Sequence, residues 1–394
     1  MKEPISIKRP EECCGCGACV SACAPGAITM KADKAGFFYP AVDESLCVRC
    51  GRCADVCVFT EKQKGANGDP DVYAAVIRDR DVLRASSSGG VFTALAEAVL
   101  DKGGVVFGAA WTDSLTLAHI GAEDRASLAR LRGSKYVQSS TGDTFRQAKK
   151  LLDDGRYVCY SGTPCQIAGL KAYLGKEYEK LLTVDLVCHG VPSMQMLRDD
   201  LSYVSGGNLS GIEDVRFRDK RYGWGVKGSL VSGGSTVKYD AGTSPYYFYF
   251  LKGEVYRESC YRCRFPSEGR QGDFTLGDYW GVRQELVDRM DGADQDQGVS
   301  CVLVNTEKGR QWFASISRNL STAPSDRQSA EKRNRQLTTH SVPLPEHQAL
   351  RDGYIERGYA AFRDGYKKHV KDHLIRTAKD LIPAKVKRKL REKL

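Results

Sequence analysis

The chain has 394 residues, 41% of them hydrophobic and 27% charged, which are globular proportions and exclude a mostly disordered chain; two or three domains with one large core are expected. The net charge of +10 sits almost wholly at one end, because between Tyr366 and Leu394 eleven Lys and Arg face three Asp and Glu; the body is nearly balanced, and a nucleic-acid partner is not expected. Cysteine is the anomaly, with 15 in all and a dense group near the start. No apolar leader is visible after Met1 and no apolar run has membrane-spanning length, so a cytoplasmic setting is expected, in which dense cysteines read as metal ligands before disulfides.

In chain order, residues 1–62 form a cysteine-rich block whose halves, 13–27 and 47–59, repeat each other. Residues 63–70 are a polar linker bearing Gly and Pro. From 71 the pattern changes to alternating strand and helix: strands at 72–77, 105–111, 157–160 and 181–187, and helices at 89–101, 144–152 and 164–174. That alternation predicts βα units and a largely parallel or mixed sheet. After about 206 the strands shorten (229–231, 275–277), and 299–305 with 308–317 read as one more strand and helix. The catalytic body is expected to run over 71–345, followed by a basic helical tail, 346–394.

The block at the start carries Cys13-x-x-Cys16-x-x-Cys19-x-x-x-Cys23 and Cys47-x-x-Cys50-x-x-Cys53-x-x-x-Cys57. This is the bacterial two-cluster ferredoxin run, in which the fourth cysteine of each motif binds the other motif's cluster. Two-residue gaps turn the loop so that successive thiolates face one cubane; the longer gap sends the last thiolate to the second. Cys13, Cys16, Cys19 and Cys57 are therefore assigned to one 4Fe-4S cluster and Cys47, Cys50, Cys53 and Cys23 to the other. Cys14 is spare and read as structural. Two zinc sites would also use eight cysteines, but these gaps, given twice, favour iron–sulfur. Val58 departs from the usual proline and removes no ligand. The predicted architecture is a small ferredoxin domain fused to a larger mixed α/β domain.

Six cysteines remain. Cys165 opens a helix behind Pro164, where a thiolate is favoured. Cys188 follows the next apolar strand, so both lie at carboxyl ends of strands, where α/β folds build sites. Cys260-x-x-Cys263 adds two more candidate ligands. Spacing alone leaves a third 4Fe-4S cluster, a zinc site and buried apolar cysteines all open. Cys159 and Cys301 fall mid-strand and read as core.

Ser88-Gly89-Gly90 opens a helix, where free N–H groups suit phosphate and an ordinary N-cap is the duller alternative. Lys135 and Tyr136 offer a cation and an aromatic face. Asp278, after a strand, suits a ribose or flavin contact or a turn. A formal G-x-G-x-x-G, Gly223 to Gly228, opens no helix and is rejected as a dinucleotide fingerprint. The stretch 214–222 (DVRFRDKRY) reads as a solvated edge strand or a face for an anionic substrate. In the tail, Leu374, Ile375, Ala378, Leu381 and Ile382 have helical spacing before Pro383. It is expected to be solvated or weakly held at an anionic membrane surface, peripheral to the inner face.

Five segments in order, Ser86-Ser-Ser-Gly-Gly90, Gly133-Ser-Lys-Tyr136, Ser161-Gly-Thr-Pro-Cys165, Cys260-x-x-Cys263 and Asp273-Phe-Thr-Leu-Gly-Asp278, resemble the β subunit of coenzyme F420 hydrogenase and dehydrogenase over roughly 71–320. The resemblance implies an FAD and a third 4Fe-4S cluster held by Cys165, Cys188, Cys260 and Cys263. It implies an oxidoreductase moving electrons between clusters, flavin and an organic substrate, either a deazaflavin or another acceptor. Flavin contacts are expected from Ser87, Ser88, Gly89, Gly90, Ser134, Lys135, Tyr136, Gly162, Thr163 and Asp278, with Lys135 and Tyr136 nearest the chemistry. The competing reading is an electron-relay subunit of a larger complex, since relatives include parts of hydrogenases, chlorophyll-pathway reductases and bacterial proteins of polysaccharide gene clusters. The expected partners are an electron donor or acceptor protein, a small-molecule substrate, or further copies or subunits.

Overall fold

The computed structural model describes residues 2–6, 9–59, 65, 68–112, 115–266 and 269–381. The block at the start holds an antiparallel ribbon of β1 (Ile28–Ala32) and β2 (Phe38–Val42) and two short helices, Ala18–Ala22 and Arg52–Asp55. Each helix follows a Cys-x-x-Cys-Gly turn and is entered through a left-handed glycine, Gly17 at φ 81° and Gly51 at φ 76°, a conformation glycine adopts without steric cost.

The other strands are β3 (Asp71–Ile77), β4 (Val105–Trp111), β5 (Leu117–Ala122), β6 (Val158–Gly162), β7 (Leu181–Leu186), β8 (Ile212–Arg216), β9 (Gly228–Ser232), β10 (Ser235–Tyr239), β11 (Phe274–Asp278), β12 (Ser300–Val304) and β13 (Leu320–Ser325). Eight form one mixed sheet in the order β13-β3-β12-β11-β7-β6-β4-β5. Its centre, β11-β7-β6-β4, is parallel, and the outer strands pair antiparallel. The expected βα alternation is present, with boundaries displaced by a residue or two.

The central strands are apolar almost throughout because both faces are covered. Val106, Cys159 and Leu182 pack with the Val91–Leu100 helix, while Val105, Phe107, Val158, Tyr160 and Leu181 pack with the Thr144–Asp153 and Pro164–Leu174 helices. Alternate residues of each strand thus serve opposite layers. Cys159 and Cys301 are fully buried in these strands, and burial pushes both thiols up to about 12; they are core residues, as expected.

A second body surrounds the small sheet β10-β9-β8. Its core is aromatic, with Phe217, Tyr239, Tyr246, Tyr247, Tyr354 and Phe362 all buried. Buried Asp200 organises it, accepting from Tyr239 Oη at 2.7 Å, Ser244 Oγ at 2.8 Å and the Tyr246 N–H at 2.9 Å. Tyr354 lies on the His347–Arg357 helix and Phe362 at the start of the Ala360–Leu381 helix. The segment expected to begin a solvated tail at 346 therefore joins the body here, because its aromatic side chains complete this core. The apolar positions at 374–381 lie on that helix, but their side chains, Ile382, Pro383 and the stretch 385–394 lie outside the described residues, as do 60–64 of the block's end and linker. Among the described residues no helix is long and apolar enough to cross a membrane.

Candidate functional site

The first cysteine loop lines a small, partly open pocket whose walls include Cys13, Cys16, Cys19, Cys57, Ile5 and Val58. These are the four thiols assigned to one cluster by spacing. They repel one another as anions: Cys19 is raised well above its ordinary value, first by burial and then by Cys16, Cys13 and Cys57. Cys13 is raised by burial too, with the Arg257 charge and the Gly15 N–H, 3.4 Å from its sulfur, opposing. Val58, in the usual proline's place, is buried against Cys14, Ala168 and Phe265. In the second set, Cys23 and Cys53 are buried together with Cys47 beside them, and the Ile5 N–H points at Cys53 Sγ at 3.2 Å. Cys50 is exposed.

The large domain brings Cys165, Cys188, Cys260 and Cys263 together, although 98 residues of sequence separate the first from the last. Cys188 is raised well above its ordinary value by burial and then by Cys260, Cys165 and Cys263. Burial pushes Cys260 and Cys263 up to about 12. Cys165 goes the other way, down to about 7, chiefly through a hydrogen bond from Cys14 and also from Thr163 Oγ1 at 3.1 Å. Thr163 caps the Pro164–Leu174 helix in a capping box with Gln166, so the local sequence Thr-Pro-Cys fixes where this thiol points. Among the described residues no three His, Cys, Asp or Glu are grouped as ligands of a single ion. A soft, all-thiol donor set suits a polynuclear iron–sulfur group.

The first loop and the large-domain quartet share a wall, the Pro164–Leu174 helix. Cys165 is on its first turn. Gly169, one turn on, lies so close to Cys16 that a Cβ there would stand 2.9 Å from the sulfur. Cys14, read from sequence as merely structural, is buried in a small cluster against which both Cys16 and Cys165 pack. The large domain also supplies donors to the loop's carbonyls: Gln138 Nε2 to Cys14 O at 2.9 Å, Thr141 Oγ1 to Cys16 O at 2.9 Å, Arg257 Nε to Cys13 O at 2.6 Å, and Arg146 to the carbonyls of Val20, Ser21 and Cys23. Spacing had no means of finding these residues. The one hint was that Arg257 precedes Cys260 by three positions.

The expected flavin contacts divide. Ser87, Ser88, Ser134, Tyr136 and Asp278 gather around Arg218, which was read from sequence as part of a solvated edge strand. Strand β8 is at an edge, but Arg218 beyond it is buried and ion-paired with Asp278 at 2.7 Å. It also reaches Tyr136 Oη at 3.3 Å and Ser87 O at 3.1 Å. Asp278 accepts from Trp224 Nε1 at 2.7 Å, and Trp224 stacks on Trp280 at 4.9 Å. Tyr136 stacks on Phe250 with ring centroids 4.5 Å apart. Ser134 N–H donates to Ser87 Oγ at 2.7 Å, and Ser88 Oγ donates to Val299 O.

Two expectations need correction. Gly89 does not offer a free N–H to phosphate, because it donates to Ser300 Oγ at 2.9 Å; its lack of a side chain admits Ala75 O, 2.2 Å from where a Cβ would be. Lys135 does not project into the site as a free cation, because its ammonium donates to Arg130 O and Arg132 O at 3.2 and 2.7 Å, and burial lowers it to about 7. Gly162 and Thr163 belong to the Cys165 turn, apart from the Arg218 group. The Gly223–Gly228 run leads into β9 and opens no helix.

Three family models match the sequence. One, for the N terminus of the beta subunit of coenzyme F420 hydrogenase/dehydrogenase, covers 72–144. A second, for the C terminus of that same beta subunit, covers 155–327. A third, a 4Fe-4S dicluster domain, covers 12–60. Among solved structures the chain is similar to one from the F420-reducing [NiFe] hydrogenase complex of Methanosarcina barkeri, at 18% identity and a TM-score of 0.46, over 79% of this chain and 94% of that one. No curated protein matches the sequence.

Proposed function

The chain belongs to the coenzyme F420 hydrogenase/dehydrogenase beta-subunit family, with a 4Fe-4S dicluster domain in front, and from that premise we propose that it is an oxidoreductase holding three 4Fe-4S clusters. Cys13, Cys16, Cys19 and Cys57 hold the first, Cys47, Cys50, Cys53 and Cys23 the second, and Cys165, Cys188, Cys260 and Cys263 the third. When bound, such clusters supply one-electron storage and transfer. The observation that carries the reading is the shared wall: Cys16 packs on the helix that presents Cys165, and both pack against the cluster around buried Cys14.

The chain's residues make that arrangement rigid. Four side chains of the large domain bond the carbonyls of the first loop, which orients its thiols inward. Each neutral bond contributes about 1 kcal/mol and those from guanidinium more, enough together to hold the loop against the body. The second loop faces outward, with Cys50 exposed beside exposed Leu46 and Val48. This is the side on which a redox protein would meet the chain.

An FAD is the finer part of the reading, and the residues expected to receive it do not fit it as arranged. Tyr136, Asp278, Ser87 and Ser134 are hydrogen-bonded to protein partners, and Lys135 is held by backbone carbonyls. The support for FAD is the family, and the proposal for the cysteines does not depend on it. The same observation favours a second reading, an electron-relay component whose substrate chemistry is completed by a partner. Anaerobic purification with iron, sulfide and flavin analysis separates the cases. About twelve irons, four per cubane, support the three-cluster reading and about eight overturn it. Bound flavin that dithionite reduces supports a self-contained enzyme, and its absence supports the relay.

A further inference from the structure

Among the described residues Arg257 is the largest fully buried side chain, at 0% exposure. A guanidinium taken out of water normally sits against a carboxylate, because the desolvation cost is several kcal/mol. Among the described residues Arg257 pairs with none. Its three bonds go to neutral acceptors: Cys13 O at 2.6 Å, Phe38 O at 2.8 Å and Gln138 Oε1 at 3.2 Å. Its flat face lies 4.2 Å from the Tyr39 ring centroid.

Its backbone is tied to the other quartet. The Arg257 N–H donates to Val191 O at 2.9 Å, three residues past Cys188, and its carbonyl accepts from the Cys260 N–H at 2.8 Å. One residue therefore joins the first loop to two of the three segments that carry the large-domain thiols, those of Cys188 and of Cys260 and Cys263. Gly15 makes room for it: at φ +67° a Cβ would stand 3.1 Å from the Arg257 Nη1.

We propose that Arg257 is a positioning residue that sets the reduction potentials of two iron–sulfur groups at once, the one held by the Cys13 set and the one held by the Cys165 set, by placing an uncompensated positive charge between them. The proposal rests on the three-cluster reading above. A group bound by four thiolates is anionic and gains negative charge on reduction, so a fixed cation beside it favours the reduced form, and more strongly at low dielectric. Fixing one charge between two groups raises both potentials relative to the solvent-side set.

The test uses the full-length protein, reconstituted without oxygen, with each feature's midpoint potential followed by EPR. Features are assigned by losing one set at a time, through Cys50→Ser and Cys263→Ser. In Arg257→Gln the potentials of the two inner features fall and the outer one stays. Arg257→Lys, which keeps the charge and loses the fork, restores them toward the wild-type values. The proposal is overturned if iron is retained and no potential moves, if all three fall alike, or if Arg257→Lys shifts them as far as Arg257→Gln. Should the Gln variant shed its iron, the Lys variant decides alone: wild-type potentials support the proposal, and lowered potentials with intact iron contradict it. A wild-type protein with about eight irons and two features defeats the three-cluster reading itself, whereas about twelve irons with unmoved potentials defeat only the role of Arg257.

Discussion

The two cysteine loops share a backbone and differ in what surrounds it. Both run Cys-x-x-Cys-Gly, both end in a left-handed glycine, and both place a left-handed residue one step before the second cysteine: Gly15 at φ 67° and Arg49 at φ 50°. In the first loop that residue is packed against Gln138 and Arg257 of the large domain, so only glycine fits. In the second it faces solvent, where a side chain is tolerated and Arg49 reaches Glu44 at 3.3 Å. The repeat thus explains the turn, and the surroundings explain the residue. One loop is built to be held by the body and the other to be met from outside.

Exchanging the two residues should break this difference most severely. Gly15→Arg adds left-handed strain to a clash and should cost about 3 kcal/mol, with iron lost from the first set; Arg49→Gly should change stability by less than about 1 kcal/mol. Chemical denaturation with parallel iron analysis reads both.

Acid should separate the loops next. His119 on β5 is buried between Ser139 Oγ at 2.9 Å, a neighbour of Gln138 and Thr141, and Ser161 O at 3.0 Å, and burial lowers it to about 4 from 6.5. The unfolded chain takes up the proton first. The stability that depends on the neutral ring is therefore complete above pH 6.5 and lost as pH falls to about 4, a difference of about 3 kcal/mol. Denaturation midpoints measured from pH 7 to 4 should fall, and His119→Gln should flatten that slope.

A finer comparison sets the bonds of one loop against those of the other. Arg146→Ala removes donors to three carbonyls of the first motif and should cost about 2 kcal/mol. Lys2→Ala removes an exposed pair with Asp55 beside the second motif and should cost less than about 1 kcal/mol. Thr141→Val, which loses a single bond to Cys16 O, should cost about 1 kcal/mol. Thermal unfolding of the three variants tests the ranking.

How much of this was legible in sequence depended on distance along the chain. The strands and helices were, because period and apolar runs are local. The first eight cysteines were, because their spacing encodes a turn. The large-domain quartet was legible only as candidates, since the sheet brings its members together from three separate segments. Arg218 looked like an exposed edge residue because β8 is an edge strand, but its ion pair with Asp278 lies 60 positions away. Arg257, 244 positions from the carbonyl it bonds, had no local signature beyond standing three residues before Cys260, and Cys14 looked spare because Cys165, which packs against its cluster, belongs to another domain.

The most direct test of the inward-facing arrangement is the iron content of Cys260→Ala/Cys263→Ala beside that of the wild type. The account predicts a fall from about twelve irons to about eight, with the EPR features of the first two sets retained. Unchanged iron in a folded double variant would contradict it.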